Sequence, residues 1–251
     1  MIPKIIHYCW FGRNPLPESA LKCIESWKKY LPDYEIKEWN EDNFDVNIIP
    51  YTAEAYKLKK YAFVSDYARF WILYKYGGLY FDTDVEVIKP MDDIIARGSF
   101  MGLEKEDLSV EKRNLINSGL GLGMRKGEIV LLDILKSYEK DHFVSWTGKM
   151  TQTVVYRVSQ IVLPEYFPTD IEEPYSIKGV TIYPTDYFCP FESYSNNLEI
   201  TENSRTIHHY HASWTNKKIG TINRIKRRFF YIYVRCCGTK LKSINVNKLN
   251  Y

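Results

Sequence analysis

SDYARFWILYKYGGLYFDTDVEVI, residues 65–88, runs from a helical pattern through two glycines into an apolar run that ends on two carboxylates, Asp82 and Asp84. The helical pattern extends back to Thr52, which is expected to cap one long helix over EAYKLKKYAFVSDYARFWILYKY. That helix stops at Gly77 and Gly78, where a left-handed backbone is accessible. Beyond them Leu79 and Phe81 alternate with Tyr80, as in a strand entering a sheet. Asp82 and Asp84 fall at its C-terminal edge or just past it, and in open α/β sheets ligands bind outside that edge.

The segments before this stretch set the fold class. KIIHYCWFG reads as a short buried strand ending at Trp10 and broken at Gly12. PESALKCIESWKKYLP places Ala20, Ile24, Trp27 and Leu31 on one helical stripe between prolines. YEIKEW is a second strand, and strand, helix, strand in that order argues for a mostly parallel α/β sheet flanked by helices. Downstream, GEIVLLDILKSYEK and TQTVVYRVSQIV read as helices, and GVTIYP and RTIHHYHASW as strands. There is no internal repeat and no low-complexity linker. The expected organisation is one domain over residues 1–216 with a basic, aromatic helix over 217–251.

A chain of 251 residues, 45% hydrophobic, can bury a substantial core. No apolar stretch approaches the roughly 20 residues needed to cross a bilayer. MIPKIIHYCWFG lacks the charged start, apolar middle and cleavage site of a secretion signal. Five cysteines without C-x-x-C spacing suggest neither a disulfide framework nor a zinc site. A reducing, cytoplasmic location is the expectation. The formal charge of +3 hides an asymmetry, because no Asp or Glu occurs from Asn203 to Tyr251 while Lys217, Lys218, Arg224, Lys226, Arg227, Arg228 and Arg235 accumulate.

Two carboxylates two residues apart on a regular strand point the same way and repel unless a proton or cation sits between them. An Asp pair also suits a solvated turn. A hard divalent ion, Mg²⁺ or Mn²⁺, resolves the repulsion and keeps coordination positions open for phosphate oxygens. Upstream, Asp66 and Arg69 lie three apart on one helix face. They can form a local salt bridge, or the arginine can reach the same cleft and bind phosphate in a bidentate manner.

IPKIIHYCWFG, SDYARFWILYKYGGLYFDTDV and IHHYHASW, in this order over residues 2–214, resemble the glycosyltransferases of the sugar-binding-region D-x-D group. That group includes initiating yeast mannosyltransferases, bacterial capsular and exopolysaccharide transferases and, more distantly, the clostridial glucosylating toxins. The resemblance implies a GT-A fold, a metal-dependent nucleotide-sugar donor and transfer with retention. It places Trp10 on the base of the donor, where stacking is worth about 1–3 kcal/mol. Asp66 would bond sugar hydroxyls, Arg69 would lie near the diphosphate or sugar, and Tyr80 and Asp82 would line the ribose and sugar side.

The same resemblance has Asp84 hold Mn²⁺ or Mg²⁺ directly, with Asp82 in the metal group. The imidazole that completes the shell matches His208 or His209, with His208 the first histidine of the pattern and His211 also nearby. Ser213 and Trp214 would close over the leaving diphosphate, and Asn117 in NLINSGLGLGM would face sugar hydroxyls or simply belong to a loop. WTGKMTQ departs from the family's Thr-Gly-Pro segment, with Lys149 in the place of proline, so no role is carried to Thr147 and Gly148. EKEDLSVEKRN is expected among the loops of the rim that reads sugar stereochemistry, with simple solvation of its charges as the alternative.

The expected partners are a UDP-sugar, with GDP as the other carrier, and a saccharide acceptor in capsule, exopolysaccharide or O-antigen synthesis, lipid-linked if the tail meets a membrane. Cations alternating with rings over residues 217–235 suit an interfacial helix; they suit equally a helix packed on the domain. No recognised nucleic-acid module accompanies the basic patch. Two other readings compete: a haloacid-dehalogenase-type phosphatase using the Asp82 and Asp84 strand, with its first aspartate as nucleophile, and a sugar-binding module without turnover.

Overall fold

The computed structural model describes residues 1–108, 111–144, 152–164, 171–192 and 197–210, and of residues 105–108, 111–114, 191, 192 and 197 the backbone alone. The expectations for Thr147–Lys149, His211, Ser213, Trp214 and the tail from residue 217 lie outside the described residues.

The chain opens with β1 (Ile5–Cys9), α1 (Glu18–Tyr30) and β2 (Glu35–Trp39), as its alternating patterns require. Next come α2 (Pro50–Lys57), α3 (Tyr61–Tyr76), β3 (Gly78–Tyr80), β4 (Val85–Val87) and α4 (Asp92–Ala96). A hairpin of β5 (Phe100–Leu108) and β6 (Glu111–Ile116) is followed by β7 (Leu122–Met124), α5 (Ile129–Tyr138) and α6 (Val154–Val162). The last elements are β8 (Tyr175–Ile177), β9 (Val180–Tyr183), α7 (Thr185–Phe188), β10 (Phe191–Glu192), β11 (Asn197–Leu198) and β12 (Thr206–His208).

The main sheet has eight strands in the order β2-β1-β3-β7-β5-β9-β8, with β6 paired to β5. β2, β1, β3, β5 and β9 run one way, and β7, β6 and β8 the other. Alternation splits the side chains between two cores. Ile6, Leu79, Phe81 and Phe100 join α1 on one face, while Cys9, Tyr80 and Met101 join α3, α5 and α6 on the other. The fold is therefore α/β with helices on both sides of the sheet.

The single long helix expected from Thr52 is two helices. Pro50 starts α2 after Ile49, and Thr52 bonds back to the Ile49 carbonyl at 3.0 Å from inside the first turn. α2 ends in a Schellman motif: Lys60 N–H donates to the Ala55 carbonyl at 2.8 Å and Lys59 N–H to the Tyr56 carbonyl at 2.9 Å, with Lys59 at φ +56°. Glycine usually marks that position, and a lysine there gives no signal in the sequence. α3 is buried from Phe63 through Phe70 on every side, so it is a central helix rather than an amphipathic surface one.

The glycine pair behaves as expected. Gly77 N–H donates to the Leu73 carbonyl at 2.8 Å and ends α3. Gly78, at φ +108°, lies so close to β1 that a Cβ would come within 2.6 Å of the Ile5 carbonyl oxygen. Glycine is what lets β3 enter the sheet directly after the helix. No helix among the described residues is long and apolar enough to cross a membrane.

Candidate functional site

The two aspartates sit in a turn, which corrects the expectation of a regular strand. β3 stops at Tyr80, and Val85 N–H donates to the Asp82 carbonyl at 3.0 Å, so residues 82–85 reverse into β4. Parallel pairing of β1 with β3 brings Trp10, just past the end of β1, to the same sheet edge as Asp82. α1 holds β4 in place: Trp27 Nε1 donates to the Val85 carbonyl at 2.8 Å, and Val87 N–H donates to Ser26 Oγ at 2.9 Å. β12 pairs antiparallel with β4 and sets His208 opposite Val85, one residue from Asp84.

This pairing separates the two described histidines, His208 and His209. His208 Nε2 lies 3.1 Å from Asp84 Oδ1, whereas His209 Nε2 turns to Glu86 Oε2 at 3.0 Å. Strict alternation along RTIHHYHASW ends at His208, because Tyr210 has φ +50°. Among the described residues, Asp82, Asp84 and His208 each bring one ligand atom to within 4.8 Å of the others. Burial disfavours the charged imidazole, yet the carboxylates of Asp84 and Asp82 hold His208 above its ordinary pKa.

Beneath the doublet lies a buried charge network. Arg69 donates through Nε to the Ser65 carbonyl at 3.2 Å, through NH2 to Asp66 Oδ1 at 2.9 Å, and through NH1 to Asp82 Oδ2 at 3.4 Å and Ser118 Oγ at 3.3 Å. Its NH2 also lies 3.2 Å from Asp82 Oδ1. Side-chain exposure grades from 5% at Arg69 and 12% at Asp66 to 19% at Asp84 and 27% at Asp82. A ligand entering from solvent therefore meets the doublet first. The guanidinium expected to reach phosphate has its donors engaged within the protein, and it stacks 4.9 Å above the Tyr80 ring.

Burial pushes the Asp66 carboxyl up to about 7, against the downward pull of Arg69. Tyr80 donates its hydroxyl to Asp82 Oδ1 at 3.1 Å. Under these side chains Cys9 is a neutral packing group, its thiol raised by burial to about 12. Trp10 is half-buried and its Nε1 donates to the Asn14 carbonyl at 2.6 Å.

Asn117 lies in the turn after β6 and is committed on both ends: Nδ2 donates to Glu104 Oε2 at 2.7 Å, and Oδ1 accepts Gly119 N–H at 2.8 Å. Gly119 faces the doublet so closely that a Cβ would strike the Asp82 carboxylate. Sequence reasoning missed Ser118, Glu104 and Tyr210. The described backbone of EKEDLSVEKRN, residues 104–108 and 111–114, pairs as β5 and β6, and Glu104 stands at the base of that pair, accepting from Tyr210 OH at 3.0 Å. Burial beside Cys189 and Glu104 raises the Tyr210 phenol well above its ordinary value, so it remains a donor.

Two carboxylates and an imidazole make an O,O,N donor set suited to Mn²⁺ and acceptable to Mg²⁺. His208 Nδ1 is buried without a hydrogen-bond partner among the described residues, so the imidazole is not committed to a structural network on that side. The residues fit a divalent cation.

A family model described as a glycosyltransferase sugar-binding region containing DXD motif matches residues 17–101. Inositol phosphoceramide mannosyltransferase 3 of Schizosaccharomyces pombe is 29% identical over 149 residues, covering 57% of this chain and 38% of that protein. The initiation-specific alpha-1,6-mannosyltransferase of Candida albicans is 32% identical over 117 residues, covering 43% of this chain and 30% of its own. Among solved structures, a glycosyltransferase involved in the glycosylation of the major capsid of PBCV-1 aligns with 91% of this chain and 98% of its own at 14% identity and a TM-score of 0.46. The chain spans between a third and two fifths of the length of the S. pombe relatives it matches. Because the matched region includes Asp82 and Asp84, the phosphatase reading of that stretch is set aside. Residues 17–101, with α1, α3 and the D-x-D turn, match the model of that sugar-binding region, and over this stretch the chain is similar to the DXD glycosyltransferases.

Proposed function

We propose that the chain is a metal-dependent retaining glycosyltransferase that moves a sugar from a nucleotide-diphosphate donor to a saccharide acceptor. The observation that carries this reading is the convergence of Asp82, Asp84 and His208 at the sheet edge, inside and beside the family region. These three residues would hold Mn²⁺ or Mg²⁺. When bound, the cation offsets the negative charge that grows on the leaving diphosphate.

The protein's own side chains arrange the rest. Trp10, at the same edge, offers a face to the base. Tyr80 and Arg69 fix the Asp82 carboxylate from below, so the doublet is held in place before a donor arrives. Asp66, the most deeply set carboxylate of the network, takes sugar hydroxyls where they reach past Asp82. Ser213 and Trp214 would cover the diphosphate. The acceptor hydroxyl attacks on the donor's leaving-group face and passes its proton to the departing phosphate oxygen, which accounts for retention without a carboxylate nucleophile.

A UDP-sugar is the donor favoured by the sequence resemblance. Relatives named as mannosyltransferases add GDP-mannose to the candidates. The acceptor belongs to polysaccharide assembly in this reading, and relatives named for inositol phosphoceramide support a lipid-linked one. Such an acceptor suits a cytoplasmic protein resting on the membrane through residues 217–235, with about 1 kcal/mol from each basic residue at an anionic surface. Flotation with anionic liposomes, with and without residues 217–251, reads that contact directly.

The central test is a thermal-shift panel of UDP-glucose, UDP-galactose and GDP-mannose with and without Mn²⁺, followed by donor hydrolysis. A Mn²⁺-dependent rise in melting temperature with one donor, and its hydrolysis, are expected. Asp84→Ala should abolish both while the metal-free variant still unfolds in one cooperative transition. Hydrolysis undiminished in Asp84→Ala would contradict the assignment, and donor binding without any turnover would leave the sugar-binding module instead.

A further inference from the structure

The turn after β12 is not used by the proposed activity, yet it is strained. Tyr210 adopts φ +50°, a conformation that a residue with a Cβ keeps only when its surroundings enforce it. Here they do. The phenol donates to Glu104 Oε2 at 3.0 Å and lies 2.9 Å from Cys189 Sγ. The reversal brings the Tyr210 ring edge-on against the His208 imidazole, with centroids 4.1 Å apart and planes at 63°.

The same Glu104 oxygen accepts from Asn117, which binds Gly119 N–H, and the Gly119 carbonyl accepts from Asp82 N–H at 3.2 Å. A continuous path of contacts therefore leads from Asp82 through Gly119, Asn117, Glu104 and Tyr210 to His208, and closes on Asp84. Metal-binding histidines are ordinarily oriented by a hydrogen bond on the second ring nitrogen. His208 Nδ1 has none among the described residues, and β12 ends at this residue. What the imidazole does have is the edge-on packing of the Tyr210 ring.

We infer that Tyr210 and Glu104 are positioning residues whose hydrogen bond clamps the His208 imidazole at the angle where it converges with Asp82 and Asp84 on one divalent cation. The inference rests on the reading that these three residues hold a cation. It extends the site to a strand, β5, that contributes no ligand of its own.

Mn²⁺ titrations followed by electron paramagnetic resonance, on the full chain without donor, test it. The wild type, Tyr210→Phe, Glu104→Gln, their double variant and Asp84→Ala are compared, each with a metal-free melting curve. Tyr210→Phe keeps the ring and removes only the hydroxyl. Both single variants should bind Mn²⁺ about tenfold more weakly at nearly unchanged melting temperature. The double variant should be no weaker than the weaker single one, because Tyr210→Phe removes the donor of the contact whose acceptor Glu104→Gln weakens by removing its charge. Wild-type affinity in both single variants, or losses that simply add, would overturn the clamp. A wild type that binds no Mn²⁺ would remove the metal reading and the clamp with it, a failure visible before any variant is compared.

Discussion

Arg69 is the residue on which the electrostatics of the site turn. One guanidinium, almost fully buried, stands between the carboxylates of Asp66 and Asp82 and reaches Ser118 as well. Removing one partner of a buried ion pair costs about 3–5 kcal/mol because the other charge is left uncompensated. Arg69→Met should lower the urea unfolding free energy by an amount of that order. Arg69→Lys should recover little, since an ammonium cannot serve the Ser65 carbonyl, Asp66 and Asp82 together in the planar fork of a guanidinium. Gly119 acts by what it lacks. In Gly119→Ala the added Cβ would push the Asp82 carboxylate aside, and Mn²⁺ affinity by calorimetry should fall more steeply than the melting temperature does.

At the scale of elements, the break between α2 and α3 shows a capping geometry filled by an unfavourable residue. Lys59 sits at the left-handed position of the Schellman motif, where a side chain costs about 1–2 kcal/mol relative to the right-handed form. Lys59→Gly should raise stability by roughly 0.5–1 kcal/mol, the strain relief being partly offset by the greater freedom of glycine in the unfolded chain. A stability change of the opposite sign in chemical denaturation would show that the lysine side chain compensates its backbone. β4 and β12 form a second small sheet tied to α1 by Trp27 and Ser26. Through it, an amphipathic helix near the start of the chain fixes the height of Asp84 and His208.

Across the whole molecule, His7 joins three parts that are remote in sequence. Trp39 Nε1 donates to its Nδ1 at 3.0 Å, and its Nε2 donates to the Gly77 carbonyl at 2.9 Å, so β1, β2 and the glycine turn before the doublet meet on one neutral imidazole. Burial lowers its pKa from 6.5 to about 4. The neutral form's contribution is therefore complete above pH 6.5 and is lost as pH falls toward 4. That loss amounts to about 3 kcal/mol. Asp66, raised to about 7, works in the opposite sense, with stability present at low pH and lost as pH rises toward neutrality. The pH dependence of wild type relative to His7→Asn isolates the histidine. The wild type should lose stability faster than the variant between pH 6.5 and 4, and parallel curves would remove His7 from this role.

The order strand, helix, strand, the glycine pair and the placement of Asp82 and Asp84 at the end of a strand were legible in local patterns, because hydrophobic period, glycine and proline act within a few residues. So was the pairing of Asp66 with Arg69, three residues apart on one helix. What tertiary structure alone decided was everything that depends on remote neighbours. Register between β4 and β12 chose His208 over His209, since the residue opposite Val85 brings its imidazole to the Asp84 carboxylate while His209 turns its own to Glu86. The β5–β6 hairpin made Glu104 part of the site although its sequence is charged enough to pass for a loop. A lysine in the left-handed conformation split one expected helix into two. Local composition carries no record of which distant backbone a side chain will face, and in this fold the acidic doublet takes its partners from β12, α3 and the turn after β6.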